Sequence, residues 1–182
     1  MASQTAREKY SGGTIVICDY DPTWPAQFEQ ERDRLWVALG SVVVAIEHIG
    51  STAVPGLAAK PIIDMLLAVR SLEQARLTLP DRLVALGYRQ MVEYEQWLHG
   101  EMLFRRGVPG PWTHHAHVVE ERSDQWQEYI ELRDYLRRHD DVATTYGELK
   151  RALALLFGDD IAGFRDAKRP FLRDVRARAR AE

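Results

Sequence analysis

An acid set inside an apolar run is the first candidate for chemistry in this sequence, and Asp64 is that acid. It interrupts the stretch Ile62 to Val69, where an ionised carboxylate is costly unless it meets a cation or a set of donors. Upstream, Gly50-Ser51-Thr52 is a tight turn whose unobstructed backbone N–H groups and two hydroxyls suit a phosphate. Glu47 and His48 close the apolar run before that turn. Side chains alternate along a strand, so only one of the two faces the turn's ligand side. Lys60 stands just before Pro61 and can meet phosphate as a point charge, or be an ordinary solvated loop lysine.

A second group lies further on. His114, His115 and His117 are the densest histidine cluster. On a strand His115 and His117 share a face, and imidazoles spaced i, i+2 can chelate Zn²⁺ or Mn²⁺. Core histidines bonded to backbone are the structural alternative. Arg105 and Arg106 sit on the preceding segment, and the one that points inward suits a guanidinium clamp on phosphate. Arg133 and Arg137, four apart, share a helix face, and Tyr146 and Lys150 follow on the next helix. Trp97 and Trp112 fall in loops beside these groups and can cover a ligand ring.

The elements that must position these residues follow from period and punctuation. Thr14 to Cys18 predicts a short edge strand. Asp21-Pro22-Thr23-Trp24-Pro25 opens a helix with Thr23 as its cap, running to Leu39 and stopped by Gly40. Val42 to Ile49 and Ile62 to Val69 are near-continuous in apolar residues, which predicts central strands buried on both faces. A helical region follows from Ser71, interrupted at Pro80 and ended by Gly87. Tyr88 to Tyr94, Met102 to Arg106 and His115 to Val119 predict shorter antiparallel strands. Beyond them Ser123 caps a helix to Arg138, Asp140 or Asp141 caps another to Phe157, and Asp159 opens a last one that Pro170 kinks or restarts. The expected class is α+β: a mixed sheet flanked by helices, with a helical C-terminal part.

Bulk properties narrow the function. With 182 residues one domain is expected, over 14–182, after a flexible lead over residues 1–13. A net charge of -3 gives no basis for general nucleic-acid binding. A single cysteine, Cys18, permits no internal disulfide and fits a reducing, cytoplasmic compartment. No apolar run reaches the roughly 18 residues of a membrane span. Arg165 to Arg180 carries six arginines and one lysine against Asp166 and Asp174, which reads as a charged surface helix. Its apolar stripe Phe171, Leu172 and Val175 can dock on the body or on a second copy of the chain, making a homodimer possible.

Taken in order, the motifs Asp21-Pro-x-Trp-Pro, Glu47-His-Ile-Gly-Ser-Thr-Ala-Val-Pro-Gly-Leu-Ala-Ala-Lys-Pro-Ile-Ile-Asp64, Thr113-His-His-x-His117, Arg133-Asp-Tyr-Leu-Arg137 and Tyr146-x-x-Leu-Lys150 resemble the GrpB family. That family is related by fold to the DNA polymerase beta-like nucleotidyltransferases. The resemblance implies a nucleotidyltransferase-like mixed sheet with the active site beside the Gly-Ser turn. It also implies nucleoside triphosphate as substrate, Mg²⁺ or Mn²⁺ as cofactor, and a strand bearing Asp-x-Asp or Asp-x-Glu about a dozen residues after the turn. Here Leu66 stands where the second acid belongs, and leucine cannot bridge two cations roughly 3.5–4 Å apart.

The expected activity is therefore metal-dependent transfer of a nucleotidyl group to a small-molecule acceptor. Asp64 is the principal metal ligand, Glu47 or His117 the proton acceptor, and His48, His115 and His117 further metal ligands. Gly50, Ser51, Thr52, Lys60, Arg105, Arg106, Arg133, Arg137 and Lys150 are the expected nucleotide contacts. Either His48 or Glu47 takes the place of the missing acid or orients a ligand, or only one metal binds, or the transfer chemistry is absent. Two other readings stay open. One is a nucleotide- or coenzyme A-related binding module, since the family also resembles a domain appended to some dephospho-coenzyme A kinases. The other is an enzyme of another class with a His115/His117 metal centre.

Overall fold

The computed structural model describes residues 14–95, 98, 100–107 and 111–182. The expected flexible lead and Trp97 lie outside the described residues. The first helix, α1 (Trp24–Leu39), begins with Pro25 in its first turn, where a missing N–H costs nothing. Thr23 does not cap it. Its hydroxyl is bonded instead to Asp21 Oδ1 at 2.7 Å. Trp24, Phe28, Leu35 and Leu39 form the buried face of α1, and Gly40 closes it with an N–H bond to the Trp36 carbonyl.

Strand β1 (Val43–Ile49) leads through the Gly50 turn and a short 3-10 segment, Ser51–Ala53, to β2 (Ile63–Val69). Then come α2 (Leu72–Ala85), β3 (Tyr88–Gln90), the single-turn α3 (Val92–Glu95), β4 (Glu101–Arg106) and β5 (His114–Glu120). The strands form one mixed sheet in the order β1-β2-β5-β4-β3, antiparallel throughout except that β2 and β5 run parallel. Helices α4 (Asp124–Arg138), α5 (Asp140–Phe157) and α6 (Ile161–Ala179) complete the chain. This is the expected α+β architecture.

Two layers of helix enclose the sheet. Helices α1 and α2 cover one face, burying Met65, Leu67, Ala116, Val118, Met102 and Phe104. The other face carries Ile49, Leu66 and Val119 under Trp126, Tyr129 and Ile130 of α4. A further cluster joins α4, α5 and α6 to Val54 and Leu57 of the crossover, with Phe171 and Leu172 packed against it and Val175 inside it. The apolar stripe of the basic tail thus docks on the body of its own chain.

Several expectations are corrected. β1 is an edge strand, not a central one, because its apolar run is covered by helices and not by a second strand neighbour. Thr14 to Cys18 reduces to one bridge between Cys18 and Ala59. Tyr88 to Tyr94 is a strand only to Gln90 and then turns helical. Pro80 does not interrupt its helix but lies within α2, and Pro170 lies within α6 without restarting it. In each case proline removes the N–H that would reach the carbonyl four residues earlier, at Arg76 or Asp166, and both of those residues are exposed to water. Ser123 caps α4 as expected, accepting from the Trp126 N–H. His139 precedes α5 in place of an aspartate, and Asp160, not Asp159, caps α6 by accepting from the Gly163 N–H.

Candidate functional site

The register of three strands assembles one face. Asp64 on β2 lies opposite His115 on β5, and His115 lies opposite Arg105 on β4. Two residues along, Leu66, His117 and Leu103 form the next row, and two further, Val119 lies opposite Glu101. Alternation puts all of these on the side that faces α4 to α6. Asp64 Oδ1 accepts from His115 Nδ1 at 2.9 Å. Glu101 Oε1 accepts from His117 Nδ1 at 2.5 Å, and Tyr129 Oη donates to Glu101 Oε2 at 3.1 Å. An ionised carboxylate only accepts, so each imidazole carries its proton on Nδ1 and keeps the lone pair of Nε2.

His115 Nε2 is buried with no partner among the described residues. One ligand atom from each of Asp64, His115 and His117 falls within 4.8 Å of the others. Charge follows the same pattern. Burial works to raise the Asp64 carboxyl, but the His115 hydrogen bond together with the charges of His115, His117 and His48 outweighs it and holds the acid below its ordinary range. Burial keeps the His115 imidazole low, against the pull of Asp64. Burial also lowers His117, yet Glu101 outweighs it and the net shift is upward.

Gly50 makes the approach to Asp64 possible. Its φ is 70°, a conformation that L side chains rarely adopt, and a Cβ there would clash with Asp64 Oδ2. Ser51 Oγ accepts from Lys150 Nζ at 2.7 Å. Lys150 is only 3% exposed, and burial holds its ammonium down to about 7. Lys60 and Lys168 place their ammonium groups 4.8 Å and 4.4 Å from the centre of the Phe164 ring. Burial depresses each to about 8, and Asp64 opposes the shift in all three lysines. Arg105 lies over Tyr94 and Trp112, 4.9 Å and 5.9 Å from their ring centres, and its Nε is buried without a partner among the described residues. Trp112 therefore covers the Arg105 guanidinium.

The structure thus brings together Gly50, Ser51, Lys60, Asp64, Arg105, His115, His117 and Lys150. It sets the other candidates apart. His48 faces α1, stacked on Phe28 with ring centres 4.7 Å apart, and burial holds it down to about 4. It is a neutral core histidine on the wrong side of β1 to share a metal with Asp64. Thr52 Oγ1 donates to the Ile62 carbonyl at 3.2 Å and accepts from His48 Nε2 at 3.0 Å, so its hydroxyl is committed to the turn. Arg106 also faces α1, where it reaches Glu31 Oε2 at 2.6 Å.

Arg133 donates to Glu47 Oε2 at 2.7 Å and to the His48 carbonyl at 3.2 Å, and Arg137 donates to the Ala53 carbonyl at 2.9 Å. Glu47, Arg133 and Arg137 line a cleft at the free edge of β1, with Phe28, Arg32 and His48, that does not reach Asp64. Glu47 thus neither replaces the missing acid nor stands ready to accept a proton from a ligand at Asp64.

Sequence reasoning missed Glu101, Tyr129, Lys168 and Arg176. Glu101 was detectable, since it shares strand parity with Arg105. Lys168 and Arg176 lie in the tail that reads as a surface helix, yet Lys168 reaches the neighbourhood of Asp64 and Arg176 acts on Tyr129 and Tyr146. No helix among the described residues is long and apolar enough to cross a membrane.

Comparison with known proteins matches this architecture. A model of the family described as GrpB protein covers residues 14–178. The UPF0157 protein YqkA of Bacillus subtilis (strain 168) is 34% identical over 171 residues, which are 94% of this chain and 49% of that protein, so the chain spans about half of that relative. The UPF0157 protein BH1888 of Halalkalibacterium halodurans is 33% identical over 174 residues, 95% of this chain and 86% of its own. The crystal structure of the conserved protein GrpB from Enterococcus faecalis superposes with a TM-score of 0.82 at 36% identity, covering 90% of this chain and 96% of that one. A family match over nearly the whole described chain, together with that superposition, leaves one conclusion: the chain belongs to the GrpB family.

Proposed function

We propose that the group of side chains around Asp64 is the active site of a metal-assisted nucleotidyltransferase acting on a nucleoside triphosphate and a small-molecule acceptor. The observation that carries this reading is the pairing of a metal-donor group, Asp64 with His115 and His117, with buried ammonium groups beside the Gly50-Ser51 turn. Donors for a cation and donors for phosphate oxygens are what such a substrate needs in one place.

The donor set bears on the metal. The Asp64 carboxylate and the His115 imidazole suit a single borderline ion such as Mn²⁺, with the partnerless Nε2 of His115 a ready ligand atom, while His117 Nε2 is kept for proton transfer. A pair of Mg²⁺ ions, which demand oxygen ligands, does not fit. Leu66, on the same strand face, is fully buried beneath α4 and offers no donor. Asp64 and His115 would hold the Mn²⁺, which when bound supplies Lewis-acid stabilisation of a phosphoryl oxygen.

The chain's own residues account for the rest. Lys60, Lys150 and Lys168 bind and orient the phosphate chain, and Gly50 lets backbone approach it. The acceptor oxygen forms its bond to the α-phosphorus while the bond to the β-phosphate oxygen breaks, and pyrophosphate leaves. A hydroxyl acceptor gives its proton to His117 Nε2, which Glu101 and Tyr129 hold in place through Nδ1. The test is a screen of nucleoside triphosphates with Mn²⁺ or Mg²⁺ and pooled small-molecule acceptors, following pyrophosphate release. Release that drops at least about 100-fold in Asp64→Asn supports the reading; neither binding nor release across the screen overturns it.

A second reading, a binding module without transfer chemistry, is favoured by one observation, the buried Leu66 in place of a second acid. Nucleotide affinity that is unchanged in Asp64→Ala, with no pyrophosphate release by the unaltered protein, selects it.

A further inference from the structure

The charge balance around Asp64 carries a more specific conclusion about the same site, and it rests on the functional reading just given. Three lysines from three parts of the chain converge there: Lys60 from the approach to β2, Lys150 from α5 and Lys168 from α6. Lys168 lies close enough to repel both of the others. No carboxylate among the described residues lies within ion-pair distance of Lys150 or Lys168, whose mapped contacts are Ser51 Oγ with the Tyr146 ring and the Phe164 ring respectively. An aromatic face holds a cation without consuming its N–H groups. Lys150 therefore keeps two of its three donors, and Lys168 all three.

Structural ion pairs among the described residues do not account for Lys150 or Lys168. A buried ammonium is costly unless paired, and the nearby acids are already engaged. Asp64 is bonded to His115, and Glu101 to His117 and Tyr129. Arg105 and Arg176 add two buried guanidinium nitrogens with no partner among the described residues. The side chains named around Asp64 carry more positive than negative charge, so the site attracts an anion and repels a free cation. One phosphate can meet a single ammonium or a close pair. Three ammonium groups carried by separate elements, beside a glycine turn that exposes backbone N–H groups, match a chain of phosphates.

We propose that Lys60, Lys150 and Lys168 form a polyphosphate subsite that binds the di- or triphosphate moiety of a ligand without a metal ion. The phosphate chain then brings the negative charge that makes the donor group at Asp64 attractive to a cation, so ligand binding precedes metal binding. The depressed ammonium groups agree with this, since a bound polyanion raises them again and the protein takes up protons as it binds.

The experiment is titration calorimetry of the full chain with inorganic pyrophosphate, orthophosphate and a nucleoside triphosphate, at pH 7 in chelator. Pyrophosphate and the triphosphate both bind, orthophosphate binds at least about 10-fold more weakly, and Lys168→Met and Lys60→Met each weaken pyrophosphate by about 10- to 100-fold, the range for losing a charge-assisted hydrogen bond. Lys168→Arg retains affinity within about 3-fold, and an unchanged melting temperature in each variant separates binding from folding. No pyrophosphate binding without metal, or equal affinity in wild type and both methionine variants, overturns the subsite. Binding by the triphosphate alone assigns the affinity to its nucleoside and also overturns it. Pyrophosphate binding without any transferase activity keeps the subsite and removes the transferase. Transferase activity with an unaltered KM in Lys168→Met does the reverse.

Discussion

Lys150→Met should make this protein more stable while removing its ligand affinity. The side chain is buried, and its folded ammonium titrates at about 7 against an ordinary 10.5. At about 1.4 kcal/mol per pKa unit, keeping that charge inside costs up to about 4 kcal/mol at neutral pH. Methionine fills the same space with no charge but gives up the Lys150–Ser51 hydrogen bond, which is worth about 1 kcal/mol. Ser51 is only half-buried, so water can take over its hydroxyl. The net expectation is a gain of about 2–3 kcal/mol at pH 7.

The sign of the pH dependence adds a second check. Because the folded value is lowered, the unfolded chain binds more protons between about pH 7 and the ordinary 10.5, so wild-type stability rises with pH over that window. The advantage of the variant is therefore full below neutrality and fades toward pH 10. Urea unfolding followed by tryptophan fluorescence at pH 6.5 and pH 10 measures both. A variant less stable than wild type at pH 6.5, or one with the same advantage at both pH values, would falsify the reasoning.

Three further substitutions probe other parts of the account. Gly50→Ala places a methyl group against Asp64 Oδ2 at positive φ, so it should cost about 1–3 kcal/mol and displace the acid, read as lost stability in urea and lost triphosphate affinity together. Leu66→Asp should not create a second metal site. It buries a charge under Trp126, Tyr129 and Ile130 and should lower stability by at least about 3 kcal/mol, with no added metal stoichiometry by elemental analysis. Glu31→Ala leaves Arg34, Arg106 and Tyr88 without their shared carboxylate. It should cost about 3–5 kcal/mol in urea and leave pyrophosphate affinity unchanged, because that ion pair lies on the opposite sheet face from the lysines.

Much of the site was legible in the sequence because it depends on local rules. Strand alternation alone places His115 and His117 on one face and sets Leu66 beside Asp64. The Gly50-Ser51 turn declares itself by residue type. What alternation cannot give is the absolute facing of a strand, so Glu47 against His48 and Arg105 against Arg106 were decided only by which helices cover which face. Sheet order is likewise non-local. The apolar run of β1 specifies burial, and helices provide that at an edge as well as strands do at the centre. Glu101 falls just before the expected strand Met102 to Arg106, and its role appears only when β4 is set in register with β5. Lys168 and Arg176 were lost in a tail of seven cations, since nothing in its composition distinguishes the two that reach the site.

The central claim is that a nucleoside triphosphate and a divalent cation meet at Asp64. Crystals grown with Mn²⁺ and a non-hydrolysable nucleoside triphosphate test it directly through the anomalous signal of manganese. The account predicts one peak within coordination distance of Asp64 and His115, with the phosphate chain running toward Lys60, Lys150 and Lys168. A triphosphate seated in the cleft at the free edge of β1, or two metal ions at Asp64, would contradict it.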